Sequence, residues 1–460
     1  MWRQLTAKGK ILELYSIIPQ FGGFLYIVAS FVVALSIIVA VHEYGHYIVG
    51  RWSGIHAEVF SLGFGPVLWS RVDKHGTRWQ IALLPFGGYV KFLGDADAAS
   101  GKDAGAMRAA EADPVQLRRT MHGAPLWARA ATVAAGPMFN FIMSALIFAA
   151  LAYAFGKPLV PYTVKSVAEL PGVQSTLEPG DEILSIAGTP FPQEADRAAW
   201  QSFQAQMPND TALTYQVRRD GQVVEATGPH YAPPLVSGVV PRSAASDAGF
   251  QPDDLILTVD GEKIAAFNQL KEKVEAAEGK PLALTVWRGG EQVALTLQPR
   301  RTDERQPDGS FATRWRIGVY GGNVIEPATE TIGLGDALVI GGWQVKSVIE
   351  NSLSGLTHII TGAISTCNLS GPIGIAETSG SMASQGAESF IRFIAIISTA
   401  IGLLNLFPIP ALDGGHLVFY AYEAVSGRPP NDLVMRILMS VGIALILSLM
   451  LFSLTNDIFC

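Results

Sequence analysis

Residues 24–51 set the terms for the whole chain. From Phe24 to Val41 eighteen residues pass without a charge, about the length needed to cross a ~30 Å hydrocarbon core. The run then ends in His42, Glu43, Tyr44, Gly45 and His46. Ionisable groups at the end of a spanning helix are costly, and they mark function unless something else accounts for them. Residues i and i+4 share one face of a helix, so His42 and His46 present two ring nitrogens to a single metal ion. Glu43, displaced by one residue, falls beside that ion without ligating it. The bland reading, two surface histidines around an ordinary glutamate, leaves three ionisable groups beside lipid with no task.

A catalytic zinc ion takes three protein ligands and keeps one position open, so a third ligand has to come from elsewhere. Three more apolar stretches follow, at 130–156, 388–416 and 437–455. The fold expected is therefore a polytopic α-helical membrane protein with four transmembrane helices, the first being residues 24–50. The second opens with Gly136-Pro137 and has Asn140 as its one strong polar group, which either lines a polar cavity or, the favoured reading, bonds a neighbouring helix in packing. The third runs into Asn405, Pro408, Pro410, Asp413, Gly414 and Gly415. Prolines two apart end or break a helix, and broken backbone at membrane depth needs protein or a water-filled cavity around it. With four spans the first and third run in the same direction, so Asp413 and the histidine pair fall in the same leaflet. Asp413 is then the expected third ligand, and Zn²⁺ is held by nitrogen and oxygen.

Only 16% of the 460 residues are charged, against about 25% in an ordinary soluble domain. The net charge is −7, without a block of like charge, which excludes nucleic acid as a natural partner. The two cysteines, Cys367 and Cys460, indicate no disulfide framework and stand in no metal-binding spacing. The N-terminal segment 1–23 has a basic start like a signal peptide's, but cleavage after the apolar run would discard His42 and His46, so it is read as retained.

Residues 51–95 alternate aromatic and β-branched runs with Gly and Pro, the signal of a small membrane-associated β-hairpin region. The edge of residues 78–91 is suited to pairing with an extended substrate. Residues 96–129 read as a flexible linker. Residues 51–129 carry ten Lys and Arg, which puts this loop in the cytoplasm. From 157 to 300 the chain is β-rich and repeats itself: Leu177 to Gly188 recurs as Phe250 to Gly261, with Asp181 matching Asp254. Two globular modules follow, 157–230 and 231–300, the first having Ala187 where the second has Asp260. Residues 301–387 read as an amphipathic helical region, 417–436 as a cytoplasmic loop, and 456–460 as a tail.

Together these residues resemble the site-2 protease family of intramembrane zinc metalloproteases. The carriers are the HEYGH run, the run from Asn405 to Gly414, and Leu369 to Gly374. The two repeats resemble PDZ domains of the bacterial type, so the expected fold includes two inserted β-rich PDZ domains. The resemblance implies a multi-pass protein of the bacterial inner membrane, with periplasmic PDZ domains and an active site toward the cytoplasmic side. It gives His42, His46 and Asp413 as zinc ligands, Glu43 as the base, and Asn405 as a contact to substrate backbone. Beyond the lipid bilayer, it implies as partner a single-span transmembrane substrate of the anti-sigma-factor type, in an envelope stress response. The PDZ pair would screen substrates by size or bind a ligand peptide. The rival is a non-enzymatic membrane PDZ scaffold with a structural metal site, which would have no need of Glu43.

Overall fold

The computed structural model describes residues 21–96, 101–193, 197–306 and 310–459. Most of the N-terminal segment and the last residue of the tail, Cys460, lie outside these. Among the described residues four helices are long and apolar enough to span a membrane, at Gly23–Trp52, Leu126–Phe155, Ala387–Asn405 and Leu433–Phe459. The chain separates into two units. One comprises residues 1–150, 338–360 and 369–460, the other 151–337 and 361–368.

In the first unit, helix α1 (Phe21–Trp52) runs without interruption through the histidine pair. Strands β1 (Ala57–Val72) and β2 (Arg78–Phe92) follow. Each strand doubles back on itself. Ala57 to Leu62 lie opposite Phe92 to Gly88 on one side and, from Val59, opposite Arg78 to Ile81 on the other, while Trp69 to Val72 lie opposite Ile81 to Arg78. Residues 78–81, expected at an edge, are thus paired on both sides, and the edge is confined to 88–92. Among the described residues no other strand pairs with 88–92.

Within the stretch 96–129, read as a flexible linker, the described residues from 101 onward hold helices instead. Helices α2 (Ala104–Ala110) and α3 (Pro114–Arg119) are started by Asp103 and Asp113, whose carboxylates accept backbone N–H groups. Such caps satisfy donors that a helix start leaves free, and buried Met107, Met121 and Ala124 hold the segment down. Helix α4 (Leu126–Phe155) contains Pro137. After the second unit come α5 (Leu334–Ile360), α6 (Pro372–Ser384) and α7 (Ala387–Asn405). The last two are α8 (Asp413–Ser426) and α9 (Asp432–Phe459).

The third span breaks where its prolines predict, since α7 stops at Asn405 and a new helix begins at Asp413. Beyond the break, helix replaces the expected loop. The stretch 417–436 is therefore largely helix, and its Gly-Gly start masks the helical run. The tail likewise continues α9 to Phe459. The Leu369 to Gly374 run starts α6, and Asp457 near the end of α9 accepts from the N–H groups of Gly371, Ile373 and Gly374 at 2.9, 2.9 and 3.2 Å. A carboxylate suits the positive end of a helix, so this contact ties the last span to α6.

Among the described residues the second unit holds two four-stranded sheets of identical order. The first runs 189–190, 182–186, 212–219, 222–229, and the second 262–263, 255–259, 282–288, 291–297. The matched aspartates explain the repeat. Asp181 and Asp254 are buried, and each receives a two-pronged contact from an arginine. Arg219 reaches Asp181 at 2.7 and 2.7 Å, and Arg288 reaches Asp254 at 2.6 and 2.6 Å. Burial alone would raise the Asp181 carboxyl, but the Arg219 guanidinium holds it below the ordinary carboxylate range.

The first part of the 301–387 region, read as amphipathic helix, holds strands instead, at Phe311–Arg316, Val319–Gly321 and Ile325–Pro327 among the described residues, and they return to close both modules. Val319 pairs with Val239 in the second and Ile325 with Val167 in the first, and Ile317, Val324 and Ile325 enter their cores. Pairing at this separation leaves no local periodicity to read. Only Leu334–Ile360 forms the amphipathic helix, burying Val345 and exposing Leu338, Val339 and Trp343. Cys367 is disulfide-bonded, against the expectation, since pairing depends on proximity in space and not on spacing along the chain.

Ala187 does not alter the turn of the first module. It takes φ 48° with Gly188 at 78°, as Asp260 takes φ 50° with Gly261 at 79°. Alanine in this left-handed region is strained by about 1–2 kcal/mol, and asparagine less so. Ala187→Asn is expected to stabilise the module by about 0.5–1 kcal/mol, read as a raised unfolding temperature of the full chain. A lowered one would mean that the alanine methyl makes a contact worth more than the strain.

Candidate metal centre

Helices α1 and α4 meet backbone to backbone at the level of the histidines. A methyl group on Gly45 would lie 2.5 Å from the Ala135 carbonyl oxygen, and one on Gly136 only 2.3 Å from His46 Nε2. No larger residue fits either place. The third element enters through the turn at 406–412. Its carbonyls crowd the start of α8, where a Cβ on Gly414 would lie 2.3 Å from the Leu406 and Phe407 oxygens. Asp413 is thereby the first residue of α8. Toward its other end α8 is clamped to α4, since Arg129 meets Glu423 with two bonds of 3.0 and 2.6 Å. A planar guanidinium paired this way fixes orientation as well as distance.

The three expected ligands converge. His42 Nε2 and His46 Nε2 are 3.2 Å apart. Asp413 Oδ2 is 3.3 Å from the first and 3.5 Å from the second. Among the described residues this is the one group of three such side chains with ligand atoms this close. The distances decide what the group suits. Zinc bonds of ~2.0–2.1 Å in tetrahedral array separate neighbouring donor atoms by about 3.3 Å. These three atoms therefore have the spacing of one face of a zinc tetrahedron. Asp413 Oδ2 is buried without a hydrogen-bond partner, a costly state for a carboxylate oxygen unless a cation meets it. The donor set, two imidazoles and a carboxylate, also matches hydrolytic zinc sites.

Glu43 and Asn405 line the same cavity, of about 280 Å³, with His416 and Tyr420 on its wall. Glu43 stands outside the ligand group. The Val90 backbone N–H faces its carboxylate, and a Cβ on Gly88 would lie 3.0 Å from its Cγ, so β2 passes directly alongside. Asn405 closes α7 at the cavity wall. All five expected site residues thus share one cavity.

Gly136, Pro137 and Asn140 stand out in the sequence without being assigned to the site, and Thr132 does not stand out at all. The His46 Nδ1 atom is 2.9 Å from the Thr132 carbonyl oxygen, and His42 Nδ1 is 3.3 Å from Asn140 Nδ2. Pro137 lacks an N–H and its ring pushes against the preceding turn of α4, the turn in which Thr132 offers its carbonyl. Gly136 and Asn140 stand four apart and so share a face, a spacing that marks this side of the span as the one that meets α1.

The sequence model of peptidase family M50 matches residues 30–449. A protein of Agrobacterium fabrum strain C58 bearing a zinc metalloprotease name is 35% identical over 444 residues, covering 95% of this chain and 97% of its own. Regulator of sigma-E protease RseP of Escherichia coli K12 is 34% identical over 476 residues, covering 95% of this chain and 99% of its own. Among solved structures, the PDZ domain of an SdrC-like protein from Listeria monocytogenes aligns with 20% of this chain and 90% of its own. Identity there is 16% and the TM-score 0.17, too low to carry an argument.

Proposed function

The chain belongs to peptidase family M50, and from that premise we propose that His42, His46 and Asp413 hold its zinc ion, that Glu43 is the general base, and that the bond cut lies in the membrane segment of a single-span protein. Family membership makes the chain a site-2 type zinc metallopeptidase, and the scaffold reading falls with it. The observation that carries the proposal is the 3.2, 3.3 and 3.5 Å triangle of His42, His46 and Asp413 donor atoms.

Bound there, zinc supplies a Lewis acid that lowers the pKa of a water to about 7 and polarises the scissile carbonyl. The Glu43 carboxylate takes a proton from the attacking water. As the C–N bond breaks, Glu43 passes that proton to the leaving nitrogen. A helical substrate hides its carbonyls in its own hydrogen bonds, so it must be extended before it is cut. Residues 88–92 of β2 offer an unpaired edge beside Glu43 for that purpose. The Asn405 amide, at the cavity wall, holds the substrate backbone.

The substrate is of the anti-sigma-factor type, a reading that rests on the likeness to RseP. Four apolar helices and the same likeness fit a multi-pass inner-membrane protein. The ten Lys and Arg of residues 51–129 favour a cytoplasmic position for that loop. The segment between the second and third spans is then periplasmic. Cys367 belongs to that segment and is disulfide-bonded, as suits an oxidising compartment. The two repeated modules there are PDZ domains that screen substrates by size. Exposed Leu68, Trp69, Leu83 and Phe86 on the β1–β2 sheet suit contact with lipid.

Metal analysis of the purified chain tests the ligand set. Wild type is expected to hold one zinc ion, and Asp413→Ala to lose it, because a three-ligand site cannot spare one. Full zinc occupancy in Asp413→Ala would remove that residue from the metal.

A further inference from the structure

Asn140 is a buried polar side chain of the second span that the mechanism leaves unused. Asn140 has no exposed surface, its Nδ2 stands 3.3 Å from His42 Nδ1, and its Oδ1 is buried without a partner. Its backbone is pinned as well. The carbonyl oxygen of Asn140 accepts from Ser144 Oγ at 2.9 Å and from Ser398 Oγ of α7 at 3.2 Å. The side chain is therefore held behind the His42 ring by two helices.

A neutral imidazole that offers its Nε2 lone pair to a metal carries its proton on Nδ1. For His46 that proton points at the Thr132 carbonyl, 2.9 Å away. For His42 it needs an acceptor too, and the partnerless Oδ1 of Asn140 is the one at hand. The two ends of a side-chain amide have nearly the same shape, and a half-turn exchanges them. In that orientation Oδ1 accepts from His42 Nδ1–H at the observed 3.3 Å separation.

We infer that Asn140 is a positioning residue for the metal centre: it fixes the tautomer and ring plane of His42, as the Thr132 carbonyl does for His46, so that the second span orients both imidazoles toward zinc. The inference rests on the reading that both histidines are ligands. Partners of this kind raise the basicity of a ligating histidine, and their loss typically weakens metal binding by about 10–100-fold.

The test is chelator competition for zinc on the purified full chain, with visible spectra of the cobalt-substituted protein on the same preparations. Asn140→Leu removes the acceptor and is expected to weaken zinc retention about 10–100-fold and to alter the cobalt spectrum. Asn140→Asp keeps an acceptor oxygen and is expected to restore both, a rescue that a merely space-filling role would not give. Wild-type affinity and spectrum in Asn140→Leu would overturn the inference. Should that variant not fold, Asn140→Ala, which adds no bulk, is read the same way. His42→Ala is measured alongside: if it binds zinc like wild type, the ligand reading itself fails, whereas zinc loss there with unchanged binding in Asn140→Leu defeats only the role of Asn140.

Discussion

Replacing Glu43 with glutamine is expected to leave zinc content and fold unchanged while lowering turnover by a factor of about 10²–10⁴. Glu43 follows His42 on the same helix, so its side chain is turned ~100° from that ligand. It lines the cavity but stands outside the ligand group of His42, His46 and Asp413. Glutamine keeps its size and leaves an oxygen for the Val90 N–H that faces it. What it lacks is a site that can take a proton from water and return it to the departing nitrogen. The ligands and the edge of β2 remain, so the variant should retain bound, uncut substrate. Cleavage of a tagged single-span protein in liposomes, with zinc measured on the same sample, separates the outcomes. Near-normal cleavage would remove Glu43 from the proton transfer, and loss of zinc would make it a ligand.

The features legible in the sequence are local or topological. The α1 span and its histidine pair are a single helical period, and Asp413 follows from the parity of four spans together with the proline break. Neither inference needs to know which surfaces touch. The misreadings have physical causes of the same kind. Asp103 and Asp113 start helices α2 and α3, yet in an Ala- and Gly-rich stretch two caps without an apolar stripe read as a loop. Val319 and Ile325 pair with Val239 and Val167, contacts whose partners lie far back in the chain. Asn140 reads as a packing residue in the sequence, because a polar group in an apolar span is equally consistent with bonding any neighbouring helix. Only the identity of the neighbour, His42, turns it into part of the site.

Gly136→Ala is expected to abolish stoichiometric zinc binding with a single methyl group. The added carbon would lie 2.3 Å from His46 Nε2, 2.5 Å from His46 Cε1 and 2.8 Å from His42 Cε1, all inside van der Waals contact. Neither ring can step aside cheaply. His46 is held from behind by the Thr132 carbonyl at 2.9 Å, and the two Nε2 atoms already stand 3.2 Å apart. Moving α4 away from α1 does not spare the site either, because Arg129 of α4 is clamped to Glu423 of α8, the helix that begins with Asp413, and would draw that ligand away with it. Relief therefore moves at least one donor out of the triangle by roughly 1 Å, and a displacement of that size alone costs about 10²-fold in rate. Overpacking of this kind also destabilises by about 1–3 kcal/mol. Gly355→Ala in α5 is the control, since a methyl there meets nothing within 4 Å, and in a helix interior the change should stabilise by up to about 1 kcal/mol. Zinc content and unfolding temperature of the two variants are compared in one detergent. Normal zinc in Gly136→Ala would mean that α1 and α4 do not meet as closely as the site requires, and the triangle of donors would have to be built another way.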